Sequence, residues 1–478
     1  MVNKKKKINE EQLNKTKEEV VVNDKLCVFK NAIDKYIELL NSQMDSFPIV
    51  LNTLAINYTT CLRHFHDFIK DKKIQIIKDE ENKRCTFKVP LEYGKEFEEV
   101  HKEMSRSRIA LLLIPKNIVV AMVSLYDAYL TDLLECAYTI KPQLLNSCEK
   151  KFSFSDLIQF DNLDNFRKHV VEKDVESIIR ESHAEQLNLL SKKFKVELTK
   201  DLPSYNDFIE ITERRNLFVH TNGKVSSQYL QKCNGRPIDH KDMDVQLGEE
   251  LIATPAYVEH CYNTLFEIGV KLGHVIWRKI ENDLEKADDS LVEIGYDLIK
   301  SEKFSLACII TDFSCKPYVK HFNKVGEYVL CVNRALAYYL QGDRNKCEDI
   351  INEIDWSGAE LKFRLAHKVL LEQYDDAIEI MKKIGKTDDM RLAYSTWPLF
   401  NKFRAIQGFK ETYKNIYGLD FQYSEPQQTK WEDVIQEAMN LINESKEMIS
   451  NTEDTTSSKE LESKKIVKLK KKPKKRIE

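Results

Sequence analysis

The chain has 478 residues, which is enough for about three domains with sizeable cores. Hydrophobic residues make up 42% of it, with only 13 glycines and 11 prolines, so the composition favours helices over a sheet-rich fold. The formal net charge of -3 excludes a global electrostatic attraction to nucleic acid, and any affinity for RNA must come from local basic patches.

The pattern of cysteines and apolar segments indicates a cytoplasmic protein. The 11 cysteines are scattered without a Cys-x-x-Cys pair, which is typical of reduced thiols in a cytosol. Residues 4–7 are lysines followed by acidic residues, without the apolar region of a signal peptide. The most apolar run, residues 109–126, is interrupted at Pro115, and we interpret it as two core segments rather than a membrane span.

The first hundred residues predict a charged arm and a helical region. Residues 1–24 lack apolar periodicity. Residues 25–104 are expected to form an N-terminal helical region, in which residues 26–68 have helical spacing with a break expected at Pro48. Within that region, residues 74–77 and 85–89 flank a polar turn and predict a small β-hairpin.

A histidine and cysteine cluster on the predicted N-terminal helix raises the question of a metal site. His66 would lie on a different helical face from His64, too far round for one tetrahedral site with Cys61 and Asp67. We interpret these residues as packing and surface positions and expect no metal. Since no glycine-rich phosphate loop and no Gly-x-Ser-x-Gly elbow occurs, we expect no cofactor either.

Residues 105–285 have the apolar spacing of an elaborated helical bundle. A helix is expected to start after Pro115 and to place Asp127 in the middle of an apolar stripe. The stripe consists of Val120, Val123, Leu130 and Leu134. Further helices are expected over residues 142–200, anchored by Phe152, Phe154 and Leu157, and over residues 250–280, with Val258, Cys261, Leu265, Ile268, Leu272 and Val275 in the core.

Residues 211–223, ITERRNLFVHTNG, carry the most informative pattern of the chain. Asn222 and Gly223 are a helix stop signal, so a helix is expected from about residue 204 to His220. At about 100° per residue, Arg215 lies near the centre of an apolar stripe and Arg214 points to solvent. The stripe consists of Phe208, Ile211, Phe218 and Val219.

The charge of Arg215 needs a partner on such a face. A buried charge without a counterion is strongly destabilising, and Asp127 is the opposite charge on the other long helix. We therefore expect Asp127 to meet Arg215 inside the bundle. The pair would hold the arginine rigid, whether its role is purely stabilising or functional.

His220 lies at the end of the same helix. A helix C-terminus carries about half a negative charge, which favours a protonated imidazole. A protonated histidine near a fixed arginine suits binding a phosphodiester and donating a proton to a leaving oxygen. The alternative is that Arg215 is a structural ion-pair residue and His220 a surface cap.

The sequence Arg215-Asn216-x-x-x-His220, followed by Asn222-Gly223 and Tyr229, resembles the HEPN superfamily of helical ribonucleases and nucleotide-binding domains. The signature of that family is an arginine and a polar residue, then a histidine after four to six intervening positions. The resemblance covers about residues 105–285 and includes an acidic residue on an earlier helix, here Asp127, that orients the arginine.

The resemblance implies a metal-independent endoribonuclease in which the RNA 2′-hydroxyl attacks the adjacent phosphate. Arg215 would neutralise the developing negative charge, His220 would act as general acid or base, and Asn216 would orient the phosphate or the histidine. It also implies a homodimer with two motifs facing one cleft, and a role as a toxin or abortive-infection effector in antiviral defence.

Residues 286–445 resemble degenerate tetratricopeptide-like repeats, with helical hairpins over 335–354 and 365–384 that could bind a protein regulator. An ordinary helical domain is the alternative. Residues 446–478 form a polar tail with nine basic residues between positions 464 and 476. This tail either attaches to RNA phosphates or only solubilises the chain.

Two other functions remain open from the sequence. The first is a non-catalytic protein in which the bundle holds RNA or a nucleotide and the C-terminal repeats recruit a protein. The second is a plain helical scaffold in which Arg215 and Asp127 are a structural pair. RNA cleavage by the purified protein would separate the nuclease from both.

Overall fold

A computed structural model describes residues 27–79, 84–147, 152–200, 202–233, 245–282, 284–423, 434–441 and 443. These residues form a mainly all-α fold with one two-stranded sheet, so the expected fold class is confirmed. The predicted N-terminal arm lies outside the described residues, and so does the basic tail.

The elements that build the first part of the chain follow one another from residue 28 to residue 280. They are α1 (Val28–Asp71), β1 (Gln75–Asp79), β2 (Arg84–Lys88), α2 (Gly94–Ile140), α3 (Phe154–Leu157), α4 (Leu163–Ile179), α5 (His183–Phe194), α6 (Tyr205–Thr221), α7 (Ser227–Cys233) and α8 (Pro255–Ile280). The strands pair antiparallel from Gln75 opposite Lys88 to Asp79 opposite Arg84, which confirms the predicted hairpin.

The two longest helices run through their prolines. Pro48 lies inside α1 and Pro115 inside α2, so the break expected at Pro48 and the helix start expected after Pro115 are wrong. A proline inside a helix costs about 3 kcal/mol because it removes a backbone hydrogen bond. Burial on both sides of each proline offsets this cost, since Phe47 and Leu51 are buried in α1 as Leu111 and Val119 are in α2.

Helix α8 is the central element against which α1 and α2 pack. The Tyr36 hydroxyl donates to the carbonyl of Leu265 (2.8 Å) and the Tyr129 hydroxyl to the carbonyl of Gly269 (3.0 Å). Gly269 lets α1 approach this closely, because a Cβ there would overlap the Tyr36 ring. The helix begins at Pro255, five residues later than expected, after an N-cap at Thr254.

The core positions predicted on α8 are buried, except that Val275 is only half-buried. Helices α3 to α5 fill the stretch where further helices were expected. Phe154 is 75% exposed, so its expected role as a packing anchor is wrong, and Leu187 and Leu190 on α5 enter the core instead. A four-residue helix such as α3 offers too little apolar surface to hold a phenylalanine in the core.

The C-terminal part is a series of short antiparallel helices. They are α9 (Glu285–Lys300), α10 (Phe304–Ser314), α11 (Lys324–Gln341), α12 (Arg344–Asn352), α13 (Leu361–Leu370), α14 (Tyr374–Ile384), α15 (Asp388–Thr396), α16 (Asn401–Ala405) and α17 (Gln407–Tyr417). The two expected helical hairpins are present as α11–α12 and α13–α14. The likeness to tetratricopeptide repeats stays a prediction.

The division of the chain into domains also stays a prediction. One continuous cluster of buried residues extends from Cys27 in the N-terminal region to Ala438 near the end of the described chain. A second, smaller cluster below the β-hairpin joins Phe65, Phe68 and Val100. The large cluster thus extends across the predicted boundaries near residues 104 and 285, while those near 24 and 445 lie outside the described residues.

Helix α2 is long and apolar enough to cross a membrane by length and composition alone. Of its apolar stretch 39% is buried, where α2 packs along α1 and α8, whereas Ile109, Leu112 and Leu113 are exposed. Lys116 lies within the apolar stretch and has hydrogen-bond partners inside the protein, the carbonyl of Asn222 and the carboxylate of Glu250.

His274 on α8 gives the fold a pH dependence. Its ring is fully buried against Trp277, and neither ring nitrogen has a hydrogen-bond partner among the described residues. Burial lowers the pKa of His274 from 6.5 to about 3. Below pH 6.5 the His274 ring is therefore protonated in the unfolded chain but stays neutral in the folded chain. As a result, the folded state loses stability as the pH falls from 6.5 towards 3.

We expect His274→Phe to remove this loss, because the ring stays packed against Trp277 but cannot be protonated. Between pH 7 and pH 5 the free energy of unfolding of the variant should fall by about 2 kcal/mol less than that of the wild type. Urea unfolding at both pH values measures the difference. The exposed His64→Gln serves as the control, and an equal pH dependence in His274→Phe and in the wild type would contradict the prediction.

Candidate functional site

The end of α6 is fixed to the rest of the bundle by its turn. Asn222 adopts the left-handed conformation (φ 54°) and Gly223 follows with φ 90°, while the Gly223 amide donates to the carbonyl of Leu217 (2.9 Å). This confirms the predicted helix stop. A Cβ on Gly223 would lie 2.6 Å from the carbonyl oxygen of Leu251, so the close approach of these two segments also requires glycine.

Lys116 ties this turn to α2. Its side chain is 6% exposed, and its Nζ donates to the carbonyl of Asn222 (3.1 Å) and to Oε1 of Glu250 (2.9 Å). The last carbonyls of a helix lack partners within the helix, and a buried ammonium satisfies one of them here. The turn after His220 therefore contacts Leu251 through Gly223 and Lys116 through Asn222.

Arg214, not Arg215, is the buried arginine of α6. It is 1% exposed, its Nε donates to Oε1 of Glu210 (2.6 Å), and its guanidinium carbon lies 4.0 Å from the centre of the Tyr257 ring. The expectation that Arg214 points to solvent is wrong. Helix α6 is covered by α2 on one side and by α7 and α8 on others, so more than one face is buried.

Two tyrosines complete the buried cluster around Glu210. The Tyr229 hydroxyl donates to Oε1 (2.6 Å) and the Tyr257 hydroxyl to Oε2 (2.8 Å). Burial raises the pKa of Tyr229 and of Tyr257, so both hydroxyls stay protonated and act as donors. The cluster satisfies both carboxylate oxygens and leaves them closed to any ligand.

Arg215 lies at the edge of the bundle. Its side chain is 24% exposed, and its Nη2 lies 4.0 Å from Oδ2 of Asp127. Its Nη1 donates to Oδ1 of Asn216 (3.2 Å), and its enclosed Nε has no hydrogen-bond partner among the described residues. The predicted contact with Asp127 is present only as a loose ion pair. The central position predicted for Arg215 is wrong, since Val219 on the same stripe is 48% exposed.

Asp127 has a closer partner that the sequence did not reveal. Its Oδ1 lies 2.9 Å from Nε2 of His183, the first residue of α5. The His183 ring packs against Phe208 and Tyr126, with ring centres 5.7 Å and 6.1 Å apart. Ser182, which caps α5, marks the helix start in the sequence, but no local signal places that start beside Asp127.

His220 lies apart from this cluster. It is an exposed residue in the last turn of α6, and it follows Arg215 by five residues. That spacing places the two side chains about 140° apart around the helix and about 7.5 Å apart along it. Asn216, four residues before His220, lies on the same side of α6 as His220. One chain therefore brings Arg215 together with Asp127 but does not bring His220 to them.

The described residues of this site form no metal cluster, and a large cavity of the bundle lies beside other residues. Among the described residues, no three histidine, cysteine or acidic side chains lie close enough to hold a metal ion. A cavity of about 890 Å³ opens between the α5–α6 connection, α8 and α10, lined by Leu187, Leu272 and Phe313 among others. Asp127, Arg215, Asn216 and His220 are not part of the wall of this cavity.

The chain matches no family model, no curated protein and no solved structure. A function therefore has to be argued from the arrangement of Asp127, His183, Arg215 and His220 and from the motif itself. The elements that carry them are α2, α5 and α6, which meet at one side of the bundle.

The two neighbouring arginines should differ in their effect on stability. Arg214→Met strands Glu210 among buried groups, and we expect the free energy of unfolding to fall by about 3–5 kcal/mol. Arg215→Met removes a loose, partly exposed pair and should cost about 1 kcal/mol or less. Urea unfolding of both variants checks this.

A combined change provides the control for this prediction. Glu210→Gln together with Arg214→Met removes both buried charges and should restore part of the lost stability. Equal losses in Arg214→Met and Arg215→Met would contradict the assignment of Arg214 to the core.

Proposed function

We propose that this protein is a metal-independent endoribonuclease of the HEPN type. The observation that supports the proposal most directly is the state of the Arg215 guanidinium. It is three-quarters buried, is oriented by Asn216 and Asp127, and forms only a loose ion pair with Asp127 through Nη2 (4.0 Å). A fixed, loosely paired guanidinium that is partly exposed at the edge of the bundle is suited to bind an RNA phosphate.

The reaction would be an in-line transfer at phosphorus. The 2′-oxygen of the ribose forms a bond to the adjacent phosphorus and gives its proton to a base, while the bond from phosphorus to the 5′-oxygen breaks. The leaving 5′-oxygen takes a proton from His220. Arg215 neutralises the charge that develops on the phosphorane, and Asn216 orients the phosphate or the histidine. The products are a cyclic phosphate end and a free 5′-hydroxyl.

A homodimer would bring the motif together. His220 lies about 140° around α6 from Arg215, so the two side chains of one chain start from different sides of the helix. A second copy placed across a two-fold axis would supply the missing histidine. Val219 and Thr221, both exposed beside His220, are available for such an interface near residues 204–230.

The wider biological role follows from the motif resemblance alone. Bacterial proteins with this motif often act as toxins or as abortive-infection effectors in antiviral defence, and we propose a cytoplasmic role of that kind. The helical hairpins of residues 286–445 would then bind a protein regulator or sense the trigger. They should point away from the dimer interface, leaving their surface accessible.

One alternative has an observation in its favour. Within a single chain Arg215 and His220 do not converge, which is the arrangement expected of a protein that binds RNA or a nucleotide without cleaving it. In that case Arg215 would hold a phosphate and His220 would be a surface residue. Binding without turnover by the wild-type protein would favour this function over the nuclease.

We expect His220→Ala to lower the rate of RNA cleavage by about 10²- to 10⁴-fold, because proton transfer to the leaving oxygen is lost. Folding should be unchanged, since the side chain is exposed. The assay is incubation of purified protein with total RNA, with and without EDTA. His64→Ala, which changes an exposed histidine on α1, is the control and should cleave like the wild type.

EDTA should leave the cleavage unchanged. A wild-type protein that is silenced by the chelator would contradict the metal-free mechanism. A wild-type protein that cleaves no class of RNA would contradict the nuclease function itself.

We expect the protein to be a homodimer through the end of α6. Light scattering should give twice the mass of the 478-residue chain, and Val219→Glu should shift the mass towards the monomer and lower the cleavage rate together, because it places a charge in the interface. Leu91→Glu, at an exposed residue between β2 and α2, is the matched control. A monomer with full activity would rule out the shared site.

A further inference from the structure

We propose that His183 is a further member of the site, and that it binds RNA beside the phosphate held by Arg215 and takes the proton of the 2′-hydroxyl. This inference rests on the proposed nuclease function. It adds a residue that lies outside the Arg215–His220 motif and on a different helix, α5.

The carboxylate of Asp127 brings the two cationic side chains together. His183 Nε2 lies 2.9 Å from Oδ1 and Arg215 Nη2 lies 4.0 Å from Oδ2 of the same group. Because both contact one carboxylate, the imidazole and the guanidinium lie on the same side of α6. Of His183 and His220, it is His183 that shares the carboxylate of Asp127 with Arg215.

The distances also show which side chain Asp127 holds. A carboxylate whose purpose was to neutralise Arg215 would form hydrogen bonds with it at about 2.8 Å. Here Asp127 forms its short contact with His183 and only a loose one with Arg215. One carboxylate thus contacts two cationic side chains. It compensates the positive charge of Arg215 only in part, so the guanidinium can still attract an incoming phosphate.

The contact with Asp127 determines the chemistry of the His183 ring. When Nε2 carries the hydrogen that the carboxylate accepts, the lone pair of the neutral ring lies on Nδ1. This nitrogen has no hydrogen-bond partner among the described residues. An imidazole that a carboxylate orients through one nitrogen and that can accept a proton on the other is suited to general base catalysis.

The surrounding residues keep the ring in place. His183 is the first residue of α5, and its side chain is 11% exposed between Tyr126 and Phe208. Phe208 lies on α6 two turns before Arg215, so the helix that carries the arginine also supports the histidine. A base needs this rigidity, because proton transfer requires hydrogen-bond reach to the hydroxyl.

The proposal completes the proton balance of the reaction. The proton of the 2′-hydroxyl passes to His183 Nδ1 as the 2′-oxygen bonds to phosphorus, and the bond to the 5′-oxygen breaks as that oxygen takes a proton from His220. The base then belongs to the chain that holds the phosphate, and the acid comes from the second copy. Two different histidines, rather than two copies of His220, carry the two transfers.

The first test compares His183→Gln with wild type. The glutamine amide can still donate to Asp127 but cannot accept a proton, so we expect cleavage at saturating RNA to fall by about 10²-fold or more while the protein stays folded, as circular dichroism would show. The fall in rate of the wild type at acidic pH should also disappear. In the described contacts, the charged and titratable groups facing the ring are Asp127 and Tyr126 on α2 and Arg215 on α6.

His64→Gln, at an exposed histidine of α1, is the matched control and should cleave like the wild type. If His183→Gln cleaves RNA as fast as His64→Gln, with the pH profile of the wild type, the role of His183 is overturned and the nuclease function stands.

The second test does not depend on activity. Inorganic phosphate is added to protein labelled at its histidine rings, and the ring signals are followed by NMR, with His183→Gln giving the assignment. We expect phosphate to shift the His183 signals in the wild type and not in Arg215→Ala. If no RNA is cleaved but this shift occurs, the nuclease function falls and the shared phosphate site stands. If phosphate leaves the His183 signals unchanged, the shared site is overturned.

Discussion

The buried pair of Glu210 and Arg214 determines how α6 is oriented in the bundle. Both residues are almost completely enclosed, and the two tyrosine hydroxyls leave no carboxylate oxygen unsatisfied. Any rotation of α6 would expose one charge to apolar surroundings or break the hydrogen bonds of the other, at a cost of several kcal/mol. With that rotation fixed, the next residue, Arg215, must point about 100° away, towards Asp127 on α2.

The same constraint explains why a half-buried arginine can be held ready for a ligand. Helix α6 derives its stability from Arg214 and from its apolar contacts, so Arg215 does not have to contribute much. A residue without a large structural role can keep a loose ion pair such as that of Arg215 with Asp127. Arg214 thus stabilises the helix, while the neighbouring Arg215 can bind a ligand.

Local signals were sufficient to predict part of this from the sequence. The end of α6 at Asn222, the β-hairpin and the buried positions of α8 depend on turn residues and periodicity within a short window. The environment of Arg214 depends on α7 and α8, and the contact of His183 with Asp127 joins residues 56 positions apart. The residue pattern of one helix does not show which residues of other helices it will contact. The helix breaks predicted at the prolines of α1 and α2 are wrong for a related reason. The packing that offsets the cost of each proline comes from other helices, which a local pattern does not show.

The positions of Lys116 and Asp127 on α2 have a consequence for how this protein can change over evolutionary time. One anchors the turn after His220 and the other holds His183 and approaches Arg215, and eleven residues separate them. Eleven residues are close to three helical turns, so both face α6, whereas a single inserted or deleted residue would swing one of them by about 100°. The amino acids of this stretch are free to drift wherever they face solvent. Its length is not.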